Sequence, residues 1–493
     1  MLSRREWLKR SGLGIGVLGA QSAFGQGAKA AGPNVLMISI DDLNDWIGPL
    51  GGHPQSQTPN IDALAKRGVT FSRAYCQAPA CNPSRASLMT GLRPTTSGVY
   101  QNDDVWRDAL PLAVTLPKHF MLHGYEVLGG GKTFHNTQND AASWEYYNSF
   151  HGFLKAPGWP VNKLNSGHFD WSGLAVDDED TSDTQLANWA ADYLSEEHSK
   201  PFFMACGFYR PHLPFYAPQK YFDKFPEEKT ELPEYLENDL DDVPESAMRS
   251  LRDHDKVTST GQWKRAVAAY LACINFADAN VGRVLKALDG GPNAQNTIVV
   301  LWTDHGWHLG EKKHWRKFTL WERSCRVPII FAGPGVEAKD QICERTAELV
   351  DIYPTLLDLA GLPSRDELDG DSLRPLLEDP DAEWKHSAIT SSGADKVTIR
   401  TERWRYTLYP DGEELFDHAN DPNEWYNLAD KPEHADTKKR LVAMLPQNPS
   451  RKEVMQFRDL PEEKKRLTEL LPEHHDASDP ANYVPLGSRP PRN

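Results

Sequence analysis

Asn34-Val35-Leu36-Met37-Ile38-Ser39-Ile40-Asp41-Asp42 is the stretch on which the reading of the fold turns. A short, nearly continuous apolar run of this kind predicts a strand buried on both faces, as in parallel sheets covered by helices. It ends in adjacent carboxylates, which repel each other unless a cation lies between them. The carboxyl edge of an open α/β sheet is also where ligands bind. A solvated turn would account for an isolated Asp-Asp pair.

The same pattern recurs along the chain. Residues 201–207 and 297–302 are further apolar strands, the second running into Thr303-Asp304-His305-Gly306. Residues 69–75, 125–128 and 327–332 also read as strands. Thr58-Pro59 opens a helix ending near Gly68, and 116–122, 184–197, 263–288 and 350–360 read as helices. The alternation predicts an α/β domain, a large mixed, mostly parallel sheet sandwiched by helices. Within it, 136–183 is expected to form loops along the substrate approach, and 216–262 an acidic, Pro-rich excursion. Beyond Gly370 the pattern becomes hairpin-like and predicts a smaller C-terminal α+β domain with an antiparallel sheet. The expected divisions are 32–370, 371–445 and a charged, Pro-rich tail over 446–493.

A chain of 493 residues with a formal net charge of −16 does not read as a general nucleic-acid binder. Six cysteines with no CxxC spacing are neither a zinc framework nor a disulfide scaffold. Ser3-Arg4-Arg5, the mildly apolar run from Leu13 to Leu18 and the small residues up to Ala31 read as a twin-arginine export signal over 1–31. That run is too short for a stable membrane span. The expected location is periplasmic or extracellular.

Cys81-Asn82-Pro83-Ser84-Arg85 is followed after four residues by Thr90-Gly91. Pro83 suits the first position of a helix, which puts Cys81 just before an N-terminus that favours a thiolate. Arg85, one turn on, can point back at the same sulfur. An isolated cysteine here would read as a buried core thiol. Gly129-Gly130-Gly131-Lys132-Thr133-Phe134-His135 offers glycines through which backbone can approach a ligand. Prolines flank His212 in Arg210-Pro211-His212-Leu213-Pro214, and Trp307, His308, His314, Arg316 and Lys317 share a basic, aromatic loop.

Cys-x-Pro-Ser-Arg with the trailing Thr-Gly resembles the signature of the formylglycine-dependent sulfatases of the alkaline phosphatase superfamily. The resemblance extends from about residue 34 to 428. Gly131–His135, the Arg-Pro-His-x-Pro-Phe string at 210–215 and the Asp-His-Gly-Trp-x-Leu-Gly string at 304–310 are most similar to the iduronate-2-sulfatase branch. It implies that a formylglycine-generating or anaerobic sulfatase-maturating enzyme converts Cys81 to Cα-formylglycine. It also implies one calcium ion held by Asp41, Asp42, the modified Cys81, Asp304 and His305.

The implied chemistry is hydrolysis of a sulfate ester of a saccharide, in exo fashion. The hydrated aldehyde attacks sulfur with Arg85 assisting; Lys132 and Lys317 neutralise the sulfuryl oxygens. His212, with Lys317, protonates the leaving oxygen. His135 then takes the proton from the second hydroxyl and expels sulfate. Arg210, Trp307, His308, His314 and Arg316 are candidates for the substrate rim. Arginine suits a carboxylate or second sulfate, and tryptophan can stack on a sugar. The competing readings are a phosphonate or phosphodiester hydrolase of the same superfamily, a choline-type alkyl sulfatase, and a secreted glycan-binding protein with an unmodified Cys81.

Overall fold

The structure is a computed structural model and describes residues 32–135, 138–149, 157–164 and 168–459. The expected export signal and the end of the tail lie outside these residues. Eight strands form the main sheet: β1 (Asn34–Ile40), β2 (Gly68–Tyr75), β3 (Glu126–Gly131), β4 (Tyr146–Asn148), β5 (Phe202–Phe208), β6 (Thr297–Thr303), β7 (Ile329–Ala332) and β8 (Gln341–Glu348). Their spatial order is β8-β2-β7-β6-β1-β5-β3-β4. Only β7 runs against its neighbours; every other pairing is parallel. β1 is therefore central, as its apolar sequence requires.

Alternate residues of β1 feed two separate cores. Leu36, Ile38 and Ile40 pack under α1 (Pro59–Ala65), α4 (Ser182–Leu194) and α5 (Trp263–Gly290). Val35 and Met37 pack on the other face, under α2 (Cys81–Thr90), α3 (Leu116–Leu122) and α6 (Ile352–Leu359). The hydrophobic effect on both faces thus fixes the strand register, since a one-residue slip would exchange the two cores. In that register Ile40 stands beside Phe208 and Thr303, and Gly131 beside Gly207. Asp41, Lys132, Tyr209 and Asp304, each the next residue along, emerge together at one carboxyl edge.

The small sheet is antiparallel, with β9 (Ala388–Ser391), β10 (Val397–Arg400), β11 (Trp404–Tyr409) and β12 (Gly412–Asp417) in sequence order. It is bolted to the main domain. The Ser391 amide donates to the Gln77 carbonyl at 2.9 Å, and the Thr390 hydroxyl to the Cys76 carbonyl. Arg405, fully buried, reaches Glu322 and Glu424. Trp321 donates its indole N–H to both oxygens of Glu414, at 3.0 and 3.1 Å.

Several expectations need correction. Leu373, Leu376 and Leu377 belong to the main core, so the small sheet begins later than residue 371. The excursion after residue 215 contains a helix, Arg252–Ser259, and its start, Phe215–Pro218, pairs with Trp171–Leu174. β8 was not anticipated, because an edge strand rich in charge has no apolar signature. The tail runs back along the segment after α2, where Val105 and Phe457 amides bond to Met455 and Asp103 carbonyls. No helix among the described residues is long and apolar enough to cross a membrane.

Glu414 gives the seam a pH dependence. Burial, opposed by Lys312 and the Trp321 hydrogen bond, raises its carboxyl to about 7. Between its unfolded and folded values the folded chain holds a proton that the unfolded chain has lost. The associated stability is complete in acid and disappears as pH rises through about 7. Thermal midpoints measured across this range should fall less steeply for Glu414→Gln than for the wild type; equal slopes would contradict the assignment.

Candidate active site

The strand-edge residues converge on Cys81. Helix α2 begins at Cys81 itself, with extended Ala80 as its N-cap, so Pro83 is the third helical residue. Proline is tolerated there because the first amides have no intrahelical acceptor. The start two residues earlier than expected buries Cys81 within the first turn.

Cys81 Sγ lies 3.1 Å from Lys317 Nζ, 3.3 Å from His305 Nε2 and 3.7 Å from Lys132 Nζ. The expectation of a free thiolate is not met. Burial outweighs the two ammonium groups and pushes the thiol up to about 12. Arg85 does not hydrogen-bond to the sulfur either. Its Nε donates to Asp304 Oδ2 and its Nη2 to Asp41 Oδ1, both at 3.0 Å, while Nη1 caps the carbonyls of Lys132 and Thr133. The guanidinium lies over the Trp302 ring. Arg85 is a buried strut joining the ends of β1, β3 and β6.

Asp42 adopts a left-handed backbone, φ 61°, a conformation that aspartate tolerates better than most residues. This turns its amide to Asp304 Oδ1 at 3.2 Å, and the Tyr270 hydroxyl donates to its carbonyl at 2.7 Å. Asp42 Oδ1 pairs with Lys317 at 2.6 Å, whereas its buried Oδ2 has no hydrogen-bond donor. Burial, only partly offset by Lys317, raises Asp42 to about 7. Asp41 and Asp304 are buried equally, yet both are lowered, by Lys132 and by Arg85 respectively, against the cost of burial.

The histidines are held in defined tautomers. His305 Nδ1 and His212 Nδ1 each face a backbone carbonyl, at 3.0 and 2.6 Å. Their Nε2 atoms are therefore left as acceptors on neutral rings. His305 Nε2 lies 3.3 Å from Asp42, and His212 Nε2 3.7 Å from it. Burial lowers His305 to about 4, and burial with nearby Lys132 lowers His135 to about 3. Ligand atoms of Asp42, Cys81, Asp304 and His305 all lie within 4.8 Å of one another, as do those of Asp41, Asp42 and His212. The carboxylate oxygens in both groups suit a hard divalent cation, whereas the Cys81 sulfur and the imidazole nitrogens are softer donors.

The five residues expected at the substrate rim are mostly buried. Trp307 is buried against Phe215 and lies 5.3 Å beneath Lys317 Nζ, which it positions. His308 is buried and bonded to Thr319, and His314 accepts the Arg249 amide at 2.8 Å. Arg210 is buried and its guanidinium caps the His212 carbonyl. Only Arg316 reaches solvent, paired with Asp253 at 2.6 Å and lying over Phe169. The loop's aromatic and basic composition thus builds the floor rather than the entrance.

The glycine run is also reassigned. A Cβ at Gly207 would meet the Lys132 carbonyl at 2.2 Å, and one at Gly131 the Gly207 carbonyl at 2.1 Å. These glycines allow β3 and β5 to approach so closely that Lys132 reaches the site; backbone meets backbone, not ligand. The sequence reading missed Ser84, Tyr270 and Asp183. Ser84 donates to the Asp304 carbonyl, and Asp183 accepts the Tyr209 and Arg210 amides at 2.8 and 2.9 Å. Nothing in an isolated Ser, Tyr or Asp distinguishes such supports from ordinary surface or core residues.

Comparison with known proteins agrees with this geometry. The family described as Sulfatase matches residues 33–362, and that described as N-sulphoglucosamine sulphohydrolase, C-terminal, matches 310–451. A sulfatase of Formosa agariphila is 39% identical over 439 residues, covering 84% of this chain and 86% of that protein. A choline-sulfatase of Rhizobium meliloti is 31% identical, covering 81% of this chain and 83% of its own length. Iduronate 2-sulfatase of Homo sapiens is 30% identical, covering 67% and 69%. With a buried cysteine ringed by lysines and carboxylates at the strand edge, the chain belongs to the sulfatase family and is a sulfuric ester hydrolase.

Proposed function

We propose that this sulfatase removes sulfate from a saccharide, with a terminal uronic-acid 2-sulfate as the substrate class, using formylglycine at position 81 and one calcium ion. The observation that carries this reading is the pair of ammonium groups converging on Cys81 Sγ, at 3.1 and 3.7 Å, beside a buried carboxylate oxygen without a donor. Asp41, Asp42, Asp304 and His305 are the residues that would hold the ion. Together the ion and the aldehyde supply a polarised hydroxyl as nucleophile.

The chain's own groups do the rest. Arg85 fixes Asp41 and Asp304 so that neither rotates as charge moves. Lys132 and Lys317 receive the sulfuryl oxygens and stabilise the developing negative charge. Burial works against the charge on Lys317, but Asp42 and its neighbours outweigh this and raise its pKa. Lys317 is therefore a standing positive charge, and His212, with Lys317 beside it, passes the proton to the leaving oxygen. His135, neutral at working pH, accepts the proton when sulfate departs.

Arg249 supports the choice of an acidic sugar. It is exposed and stacks 5.2 Å over Phe318, next to Lys317. A cation at this point suits a uronate carboxylate better than a quaternary ammonium group, which favours an aromatic cage. An exported location and a separate maturating enzyme accompany this proposal.

Inorganic sulfate should be released from a uronic-acid 2-sulfate disaccharide faster than from choline sulfate, a phosphonate monoester or a phosphodiester. Faster turnover of any of the last three would replace the substrate assignment. Cys81→Ala should abolish release while leaving circular dichroism and the melting transition near wild type; retained turnover would remove Cys81 from the mechanism. Lys317→Ala should lower kcat on the order of 100-fold, as expected for loss of a charge-stabilising donor. A change confined to KM would make Lys317 a binding group only.

A further inference from the structure

Two thiols next to the catalytic cluster take no part in the reaction. Cys76 directly follows β2, and Cys325 ends the short helix Glu322–Cys325. Tyr75 and Arg326 form an antiparallel bridge. The Cys76 amide donates to the Cys325 carbonyl, and the Val327 amide to the Ala74 carbonyl, both at 2.9 Å. This register sets Cys76 directly opposite Cys325. Opposed residues of an antiparallel pair have Cα atoms roughly 5 Å apart, a separation that a disulfide spans. The two thiols are near enough to interact directly. Their sulfurs face neighbouring carbonyls, Cys76 that of Ser324 at 3.7 Å and Cys325 that of Thr319 at 3.8 Å.

The segments bearing these thiols also carry the active site. Gly306, next to His305, donates its amide to the Ser324 carbonyl at 2.9 Å. Phe318, next to Lys317, donates to the Pro79 carbonyl at 3.1 Å, and Pro79 lies just before Cys81. Besides these hydrogen bonds, the two segments meet in one buried cluster of Tyr75, Leu320, Trp321 and Cys325.

We propose that Cys76 and Cys325 are a dithiol that closes to a disulfide under oxidising conditions and fastens the Lys317 loop to the connector leading into Cys81. With oxidised glutathione as the oxidant, one cysteine thiolate attacks a glutathione sulfur and releases one glutathione thiolate. The second cysteine then attacks the protein sulfur of the mixed disulfide and releases the other. The two cysteine protons end on the two glutathione thiols, and the two cysteines lose the electrons that the glutathione disulfide gains. Both thiols are fully buried, so exchange is slow in the folded chain and fast while the chain folds.

The test uses the full chain in two samples. One is incubated folded with oxidised glutathione, and the other is refolded from denaturant in the same buffer. Both are then denatured, alkylated without reductant, digested with trypsin and analysed by mass spectrometry. Trypsin leaves Cys76 and Cys81 in the peptide 74–85 and Cys325 in Ser324-Cys325-Arg326. The expected result is a reducible link between these peptides in the refolded sample, with fragmentation on either side of Pro79 placing it at Cys76. Oxidised protein should also melt several degrees above reduced protein, a difference that Cys325→Ser abolishes. Complete alkylation of Cys325 in both samples, a link through Cys81, or a redox-dependent melting shift that survives in Cys325→Ser would each overturn the proposal.

Discussion

The structure depends on burying three carboxylates together, and Arg85 makes that possible. Charges removed from water are tolerated only when paired and hydrogen-bonded. Asp41 and Asp304 share the Arg85 guanidinium, whose remaining donors satisfy backbone carbonyls at the end of β3. One side chain from a helix on one face thus joins three strand ends of the sheet. Asp42, which Arg85 does not reach, is the carboxyl raised by burial and left with an oxygen lacking a donor. The imbalance lies next to the Cys81 sulfur, within the group of side chains that could hold a cation.

The sheet supplies the rest of the arrangement. Because β1, β5 and β6 are parallel and in step, residues following each strand appear at one edge without any loop having to travel. Lys132 joins them because Gly131 and Gly207 lack side chains at the contact. Lys317 arrives from a more distant loop, whose path is set by Trp307 below it and by the Phe318–Pro79 hydrogen bond.

Much of this was legible in the sequence because continuous apolar strands ending in charged residues leave a strong signature. The segments of β1 and β6, with Asp41, Asp42, Asp304 and His305 after them, could be read directly. The Cys81 motif was legible through its resemblance to a family, since its spacing alone put the helix start two residues late. Arg85 was identified but its direction was not, because a helical position fixes a face and not which of several acceptors a long side chain takes. Trp307, His308 and His314 misled for a related reason. Composition shows that a loop is rich in binding chemistry but does not show which residues lie beneath it. The charged edge strand β8 and supports such as Ser84 and Tyr270 carry no local pattern, and only tertiary pairing reveals them.

The seam between the two sheets sets an order of events during synthesis. Carbonyls of Cys76 and Gln77, in the connector leading to Cys81, are capped by Thr390 and Ser391. Those partners leave the ribosome more than three hundred residues later, the first pair being separated by 314 positions. A nascent chain therefore leaves these two carbonyls without their partners until nearly every element of the described fold has been made. Once the last sheet docks, the connector before Cys81 gains these two hydrogen bonds, so its backbone is among the last parts of the fold to be fastened.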